Sequence, residues 1–300
     1  MNNCTNLFDY ENKKKVLVKE CACCGSKNYF TIYDKDRYGY DVKSNLCMSC
    51  GVVFLSPRMD LDSYMEFYNK AYRELVSCFN DKLINKITIQ KEQIVYANSV
   101  YEFVKPYMVG KFNKLNLLDV GGSTGIVATF LKDKFIENDD VSSIDVTVID
   151  PSVDELEIAK DNGLKTINGF IEDLVDIEEK FNFIILCQTI DHLFDIQKSL
   201  SIIFNALSDD GMFFIDIVDF KYMLKDRGIA KSIKLDHPYN FSFKSSFNLL
   251  QNTGFSICAS SVIYDGHLIG FLCTKEKPTI PNYNLDNEIN EIMNLMRYNK

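Results

Sequence analysis

The chain has 300 residues, 46% of them hydrophobic and 25% charged, a composition that excludes wholesale disorder, collagen-like and coiled-coil architectures. Its 33 basic and 42 acidic residues leave a net charge of −9, which repels a phosphate backbone and argues against extended nucleic-acid binding. No run of about 18 uncharged apolar residues occurs, so no membrane span is expected, and the polar start MNNCTNLFDYENKKK lacks the apolar core of a signal peptide. These features predict a cytoplasmic protein whose ten cysteines are not a disulfide framework.

Residues 1–60 carry two Cys-x-x-Cys pairs, Cys21 with Cys24 and Cys47 with Cys50, followed by Gly25 and Gly51. The two-residue spacer lets both thiolates of a turn meet one ion, and the glycine relieves the tight turn. Two such knuckles make an S₄ set that suits a structural Zn²⁺, and a hairpin can span the gap between them. Cys23 is read as a bystander. A module this short buries little apolar surface, which a metal cross-link offsets. VVFLSPRM then predicts a short strand ended by Pro57, and Tyr64, Phe67, Tyr68 and Tyr72 fall at helical spacing, a stripe read as core. Residues 61–113 are expected to be a helical linker, with Pro106 and Gly110 marking its boundary.

From 114 to 275, short apolar runs alternate with amphipathic stretches. KLNLLDV (114–120), SSIDVTVID ending at Asp150, LKTING, FNFIILC (181–187) and GMFFIDIVD (211–219) predict five strands separated by helices, hence a parallel sheet covered on both faces. A helix near 245–253 and strands near 255–264 and 267–274 follow, the last expected to pair antiparallel. Ligands in such sheets sit beyond the carboxyl ends of the strands, where Asp119, the loop Gly121-Gly122-Ser123-Thr124-Gly125 and Asp150 lie. An acid some 30 residues after a glycine loop suits a ribose. The dinucleotide fingerprint fails, because Ser123 and Ile126 occupy two of its glycine positions.

The succession LDVGGSTG, VIDPS, NGFIEDL, FNFIILCQTIDHL and LSDDGMFFIDI resembles class I S-adenosylmethionine-dependent methyltransferases. CACCGS, DRYGY, LCMSCGVVFLSPRM and YMEFYNKAYR extend the resemblance to zinc-bearing enzymes of bacterial sugar and polysaccharide pathways, including deoxysugar C-methyltransferases. The resemblance implies an α/β, Rossmann-like methyltransferase domain with a small N-terminal zinc-knuckle domain, binding S-adenosylmethionine and a sugar or sugar-nucleotide acceptor. By it, Asp119, Gly121, Gly122, Ser123 and Gly125 line the methionine and ribose portion, Asp150 holds the ribose and Pro151 meets the adenine. Phe170, Ile171 and Glu172 border the adenine edge, with Phe170 standing where many relatives carry an acid. Gln188 faces the amino-acid end. Glu172 and Asp173 read equally well as a solvated turn.

Three histidines are candidates for proton transfer. Asp236-His237-Pro238-Tyr239 resembles, one residue shorter, the acidic-His-x-x-Tyr segment that closes over the acceptor in the sugar methyltransferases. The likeness implies His237 as general base, Asp236 orienting it and Tyr239 contacting substrate. His192 is the second candidate, or a loop cap, and His267 a surface residue at a turn. Methylation at oxygen or at carbon beside a ketone both fit, with oxygen slightly favoured by the departure around His237. A ribosomal RNA methyltransferase and an inactive cofactor-binding scaffold are the competing classes. In the tail, 276–300, Leu285, Ile289, Ile292 and Met296 share a helical face that packs on its own domain or on a second subunit.

Overall fold

The computed structural model describes residues 4–83, 86–138, 141–174, 179–278 and 280–298. The N-terminal part contains β1 (Lys15–Val16), β2 (Tyr29–Tyr33), β3 (Ser44–Cys47), β4 (Val53–Leu55) and β5 (Arg58–Met59), then helices α1 (Leu61–Lys70), α2 (Tyr72–Asn80) and α3 (Lys86–Met108). Next come β6 (Lys114–Val120), α4 (Ile126–Glu137), β7 (Ser143–Asp150), α5 (Val153–Asp161), β8 (Lys165–Asn168), β9 (Phe181–Leu186), α6 (Ile196–Ala206) and β10 (Leu207–Val218). An insertion supplies α7 (Phe220–Arg227), α8 (Ile229–Ser232) and β11 (Tyr239–Asn240), followed by α9 (Phe243–Asn252), β12 (Ser256–Tyr264), β13 (Leu268–Thr274) and α10 (Asp286–Tyr298).

The main sheet has seven strands in the order β12-β13-β10-β9-β6-β7-β8, parallel except for β13, which runs antiparallel to both neighbours. Its strands are apolar on both faces because each face meets a layer. Leu118, Val120, Ile184, Leu186, Phe213 and Ile215 point into one core with α6 and α9. The alternate residues Leu117, Phe183, Ile185, Met212 and Phe214 point into the other with α3 and α4. Helix α3 thus covers the sheet, burying Tyr96, Val100, Val104 and Met108 against it, and does more than link two modules. Pro106 lies inside this helix, and Gly110, with a φ of 74°, follows its end.

A second sheet has the order β11-β4-β3-β2, and all its pairings are antiparallel. The expected hairpin between the cysteine pairs is β2–β3. Its fourth strand, β11, comes from the insertion, so a segment nearly 200 residues away in sequence completes the N-terminal sheet. The tail helix does not pack on the main sheet: Ile289, Ile292 and Met296 are buried in a third core with Leu46, Val53, Tyr64, Phe67 and the insertion. Of the two expected uses of that face, packing within its own chain is the one found, against the N-terminal module and the insertion. Residues 299 and 300 of that tail lie outside the described residues. Cys4 and Cys78 form a disulfide across 74 residues, correcting the expectation of reduced thiols throughout; α2 packs over the N-terminal turn and brings the two together.

Candidate active site

The carboxyl ends of β6, β7, β9 and β10 open into a cavity of about 1050 Å³, closed on its far side by α1, α2 and the insertion. Gly121, Ser123, Asp150, Pro151, Phe170, Ile171, Glu172, Gln188, Asp191, His192, Lys234, Asp236 and His237 all line it. Among the expected residues, Asp119, Gly122, Gly125 and Tyr239 are not part of that wall.

Asp119 sits beneath the glycine loop, 1% exposed, and among the described residues neither of its carboxylate oxygens has a hydrogen-bond partner. Burial, with Asp150 adding to it, pushes its pKa up to about 7. Backbone must pass directly over this carboxylate, since a Cβ at Gly122 would collide with it, and one at Gly125 would collide with Leu164. Ser123 holds a left-handed φ of 52°, sparsely populated by residues with a side chain. Two bonds hold it there: its N–H donates to Asp150 Oδ2 at 2.9 Å, and its Oγ to Glu155 Oε2 at 3.2 Å. Asp150 Oδ1 accepts from Ser152 N at 2.8 Å, so each of its oxygens already takes one backbone hydrogen and keeps a lone pair for a further donor.

Glu172 is not a solvated turn. Its Oε1 accepts from Ser199 Oγ at 2.6 Å and from Asp195 N at 3.3 Å, binding the Ile171–Asp173 turn to the start of α6. Asp173 accepts from Phe170 N at 2.8 Å. Gln188, with a φ of 49°, donates its N–H to Asp216 Oδ1 at 2.6 Å, and Tyr96 donates to Oδ2 of the same carboxylate at 2.8 Å. Sequence reasoning missed Asp216, Tyr96 and Glu155; the only signal was an acid in the otherwise apolar run MFFIDIV.

Also in the cavity wall, Asp191 Oδ2 and His237 Nδ1 are 2.5 Å apart, and both residues are buried. His237 Nε2 is 3.1 Å from Lys234 Nζ and 3.7 Å from Asp236 Oδ2. His192 packs edge-on to His237, ring centroids 4.6 Å apart, and its Nδ1 lies 2.6 Å from the Tyr68 hydroxyl and 3.0 Å from Asp236 O. Burial depresses His237 to about 4 against the pull of Asp191, with Lys234 lowering it further. Burial opposes ionisation of Asp191, but His237, His192 and Lys234 outweigh it and hold the carboxyl below its usual range. Near neutral pH the pair is therefore a carboxylate and a neutral imidazole. The Nδ1–H donates to Asp191, which leaves the lone pair on Nε2.

Three expected placements change. The carboxylate bonded to His237 is Asp191, at Nδ1; Asp236 Oδ2 stands 3.7 Å from Nε2, beyond hydrogen-bond distance. Tyr239 is 1% exposed, pairs with Phe54 in the second sheet and donates its hydroxyl to Phe194 O at 3.2 Å, so it faces away from the cavity. His267, expected at a surface turn, lines the cavity stacked on Tyr222, and His192, the second candidate, lines it too. The aromatic stripe splits: Phe67 is core, whereas Tyr64, though buried, lines the cavity with Tyr68 and Tyr72.

The Asp191, His192 and His237 ligand-type atoms lie within 4.8 Å of one another. Two ligands of one ion, with bonds of about 2.1 Å, stand roughly 3 Å or more apart. The 2.5 Å contact is instead a hydrogen bond, and the trio is an acid–base cluster. Elsewhere, the Sγ atoms of Cys21, Cys24, Cys47 and Cys50 converge to within 4.8 Å, with 3.5 Å between Cys21 and Cys50 and 3.6 Å between Cys24 and Cys47. Gly25 and Gly51, at φ of 70° and 71°, allow the two turns, and Cys23 stays outside the group.

With the cofactor that the sequence resemblance implies, Asp119→Asn is expected to weaken S-adenosylhomocysteine binding by roughly tenfold or more, through loss of the negative charge beneath the loop. Because the unliganded carboxylate is held up near 7, affinity in the unsubstituted protein should rise between about pH 5 and pH 8 as it ionises. Calorimetry across that window checks both, and a flat profile contradicts the assignment. The same shift has an opposite effect on the unliganded fold. A carboxyl raised in the native state adds stability below its unfolded pKa, and that stability is lost as pH rises through about 7.

A family model described as a methyltransferase domain matches residues 72–259, well over half of the chain. Among solved structures, the plantazolicin methyltransferase BamL, crystallised with a desmethylPZN analogue and SAH, is similar at 16% identity and a TM-score of 0.52, covering 71% of this chain and 94% of its own. Magnesium protoporphyrin IX methyltransferase from Synechocystis PCC 6803, with bound SAH, is similar at 12% identity and a TM-score of 0.51, covering 71% and 98%. These likenesses concern the fold. No curated protein sequence matches the chain.

Proposed function

The chain belongs to the methyltransferase-domain family and is an S-adenosylmethionine-dependent methyltransferase; from that premise we propose that its acceptor is a sugar or glycan precursor and that His237 is the general base. The observation that carries the reading is the Asp191–His237 pair, set in the same cavity wall as Gly121 and Ser123 with its basic nitrogen free of Asp191. A neutral imidazole fixed by a buried carboxylate suits deprotonation of a hydroxyl, or of a carbon beside a ketone. A cavity of about 1050 Å³ exceeds the common ligand-site range and leaves room beyond the cofactor for a large polar acceptor.

The residues fit the cofactor. The unpartnered, buried Asp119 carboxylate supplies negative charge beneath the loop for the cofactor's ammonium end, and Gly121 and Ser123 present the loop at the cavity wall. Asp150 retains lone pairs for the ribose, and Pro151, Phe170 and Ile171 offer apolar walls to the adenine. Bound there, S-adenosylmethionine supplies a methyl group activated on a sulfonium, so the protein needs to contribute only positioning and a base. The four thiols also fit zinc: tetrahedral bonds of about 2.3 Å place neighbouring sulfurs about 3.8 Å apart, close to the spacings found. We assign that ion a structural role, since four thiolates leave no position for substrate.

The test is transfer of a labelled methyl group to a panel of nucleotide-linked keto- and hydroxy-sugars, with total RNA in parallel. A methylated sugar supports the proposal. Labelled RNA, with every sugar unmodified, overturns it.

A further inference from the structure

Lys234 projects into the acceptor end of the cavity, and neither the fold nor the base assignment requires a cation there. Its Nζ is bonded to His237 Nε2 at 3.1 Å, and among the described residues no carboxylate oxygen lies within 4.0 Å of it. The two acids that act on it, Asp191 and Asp236, both face the imidazole. Arg37, from the N-terminal module, adds positive charge from behind. Burial, then Arg37, lower the lysine to about 8, so it remains largely protonated at neutral pH. A partly desolvated ammonium beside a base, with no carboxylate of its own, is arranged to receive negative charge from outside the protein.

We propose that Lys234 is a further catalytic residue, an oxyanion-holding group that restricts the acceptor to one in which an oxygen carries negative charge when the methyl group arrives: the attacking oxygen of an ionised hydroxyl, or the oxygen of an enolate that attacks through carbon. The inference rests on the base assigned above and deepens it. As the acceptor's O–H, or the C–H beside its ketone, breaks, the proton goes to His237 Nε2. The released pair stays on the acceptor, and Lys234 transfers its hydrogen bond from the imidazole to that oxygen. The pair then forms the bond to the methyl carbon while the sulfonium leaves as a neutral thioether. An amine acceptor develops positive charge instead, which the ammonium repels.

Three histidines make the imidazole signals of this chain simple to follow. With S-adenosylhomocysteine bound and at low salt, inorganic phosphate or acetate should perturb the His237 resonances and bind. Lys234→Met should weaken that binding by about tenfold or more, whereas Lys234→Arg should largely keep it. Unchanged S-adenosylhomocysteine affinity in both variants reports an intact fold. Phosphate and acetate that leave His237 undisturbed, or bind equally well to Lys234→Met, overturn the proposal. Because the readout is anion binding, that result leaves the role of His237, which is tested by turnover, standing.

Discussion

Replacing His237 by alanine is expected to lower turnover by about 10²–10⁴-fold while S-adenosylhomocysteine affinity stays nearly unchanged. The two effects separate because the glycine loop, Asp119 and Asp150 belong to β6 and β7, whereas His237 belongs to the insertion. Asp191→Asn should show a loss of the same order with His237 intact. An amide in that position can donate to Nδ1, moving the proton to Nε2 and removing the basic lone pair. Asp236→Asn should be milder, since that carboxylate is 3.7 Å from the ring and makes no hydrogen bond to it. Steady-state kinetics on the three variants test this ordering, and near-normal turnover in His237→Ala removes it from the mechanism. With the imidazole held at about 4, the base stays neutral above about pH 5, and turnover should not show the fall near 6.5 expected of an ordinary histidine. The linkage sign follows. A histidine depressed in the native state adds stability above its unfolded pKa, and that stability is lost as pH falls through about 4.

Chelation of the zinc proposed for the four-cysteine cluster, or Cys47→Ser, is expected to lower turnover by a comparable factor before it affects cofactor binding. Cys47 ends β3, β3 pairs with β4, and β4 pairs with β11 directly after the His237 segment. That segment hangs on the N-terminal module at several further points. Arg37 N donates to Ile233 O at 2.8 Å, and Leu55 N to Pro238 O at 3.0 Å. Tyr64 and Tyr68 donate their hydroxyls to Leu235 O and Asp236 O, each at 3.1 Å. Asp36 accepts from Leu235 N at 3.3 Å while also holding the Tyr38, Gly39 and Tyr40 N–H groups. With the proposed zinc as its cross-link, the small module loses its sheet when the ion goes, and the proposed base, His237, then loses its position. Turnover and S-adenosylhomocysteine affinity measured on the same chelated sample decide the matter. Full turnover without metal contradicts it, and simultaneous loss of affinity shows that the two halves are not separable.

Elements with a strong local pattern were legible before folding. The strand at 114–120 matches β6 residue for residue, and Asp150 closes β7 as expected, because a buried parallel strand must be a continuous apolar run and a turn must follow it. The cysteine pairs were readable for the same reason: a two-residue spacer and a following glycine set the knuckle geometry locally. Ile289, Ile292 and Met296 were visible as one apolar face, though not which core would receive it. Tyr64, Tyr68 and Tyr72 could not be told from Phe67, because periodicity identifies a helical face without saying whether its edge meets a core or a cavity.

The amino-acid order alone thus determined the parallel sheet, the glycine loop over Asp119, the paired knuckles and the three candidate histidines, all features set by residues within a few positions of one another. The partner of His237 was decided only in three dimensions. Asp191 and His237 are 46 positions apart and meet because β9 and the insertion converge at the same edge of the sheet. The attachment of that insertion to the cysteine-bearing sheet was likewise beyond local reading, since Tyr239 and Phe54 pair through backbone hydrogen bonds that carry no signature in side-chain type. Spacing along a chain specifies turns, faces and strands, whereas which distant carboxylate reaches an imidazole depends on how the finished layers stack.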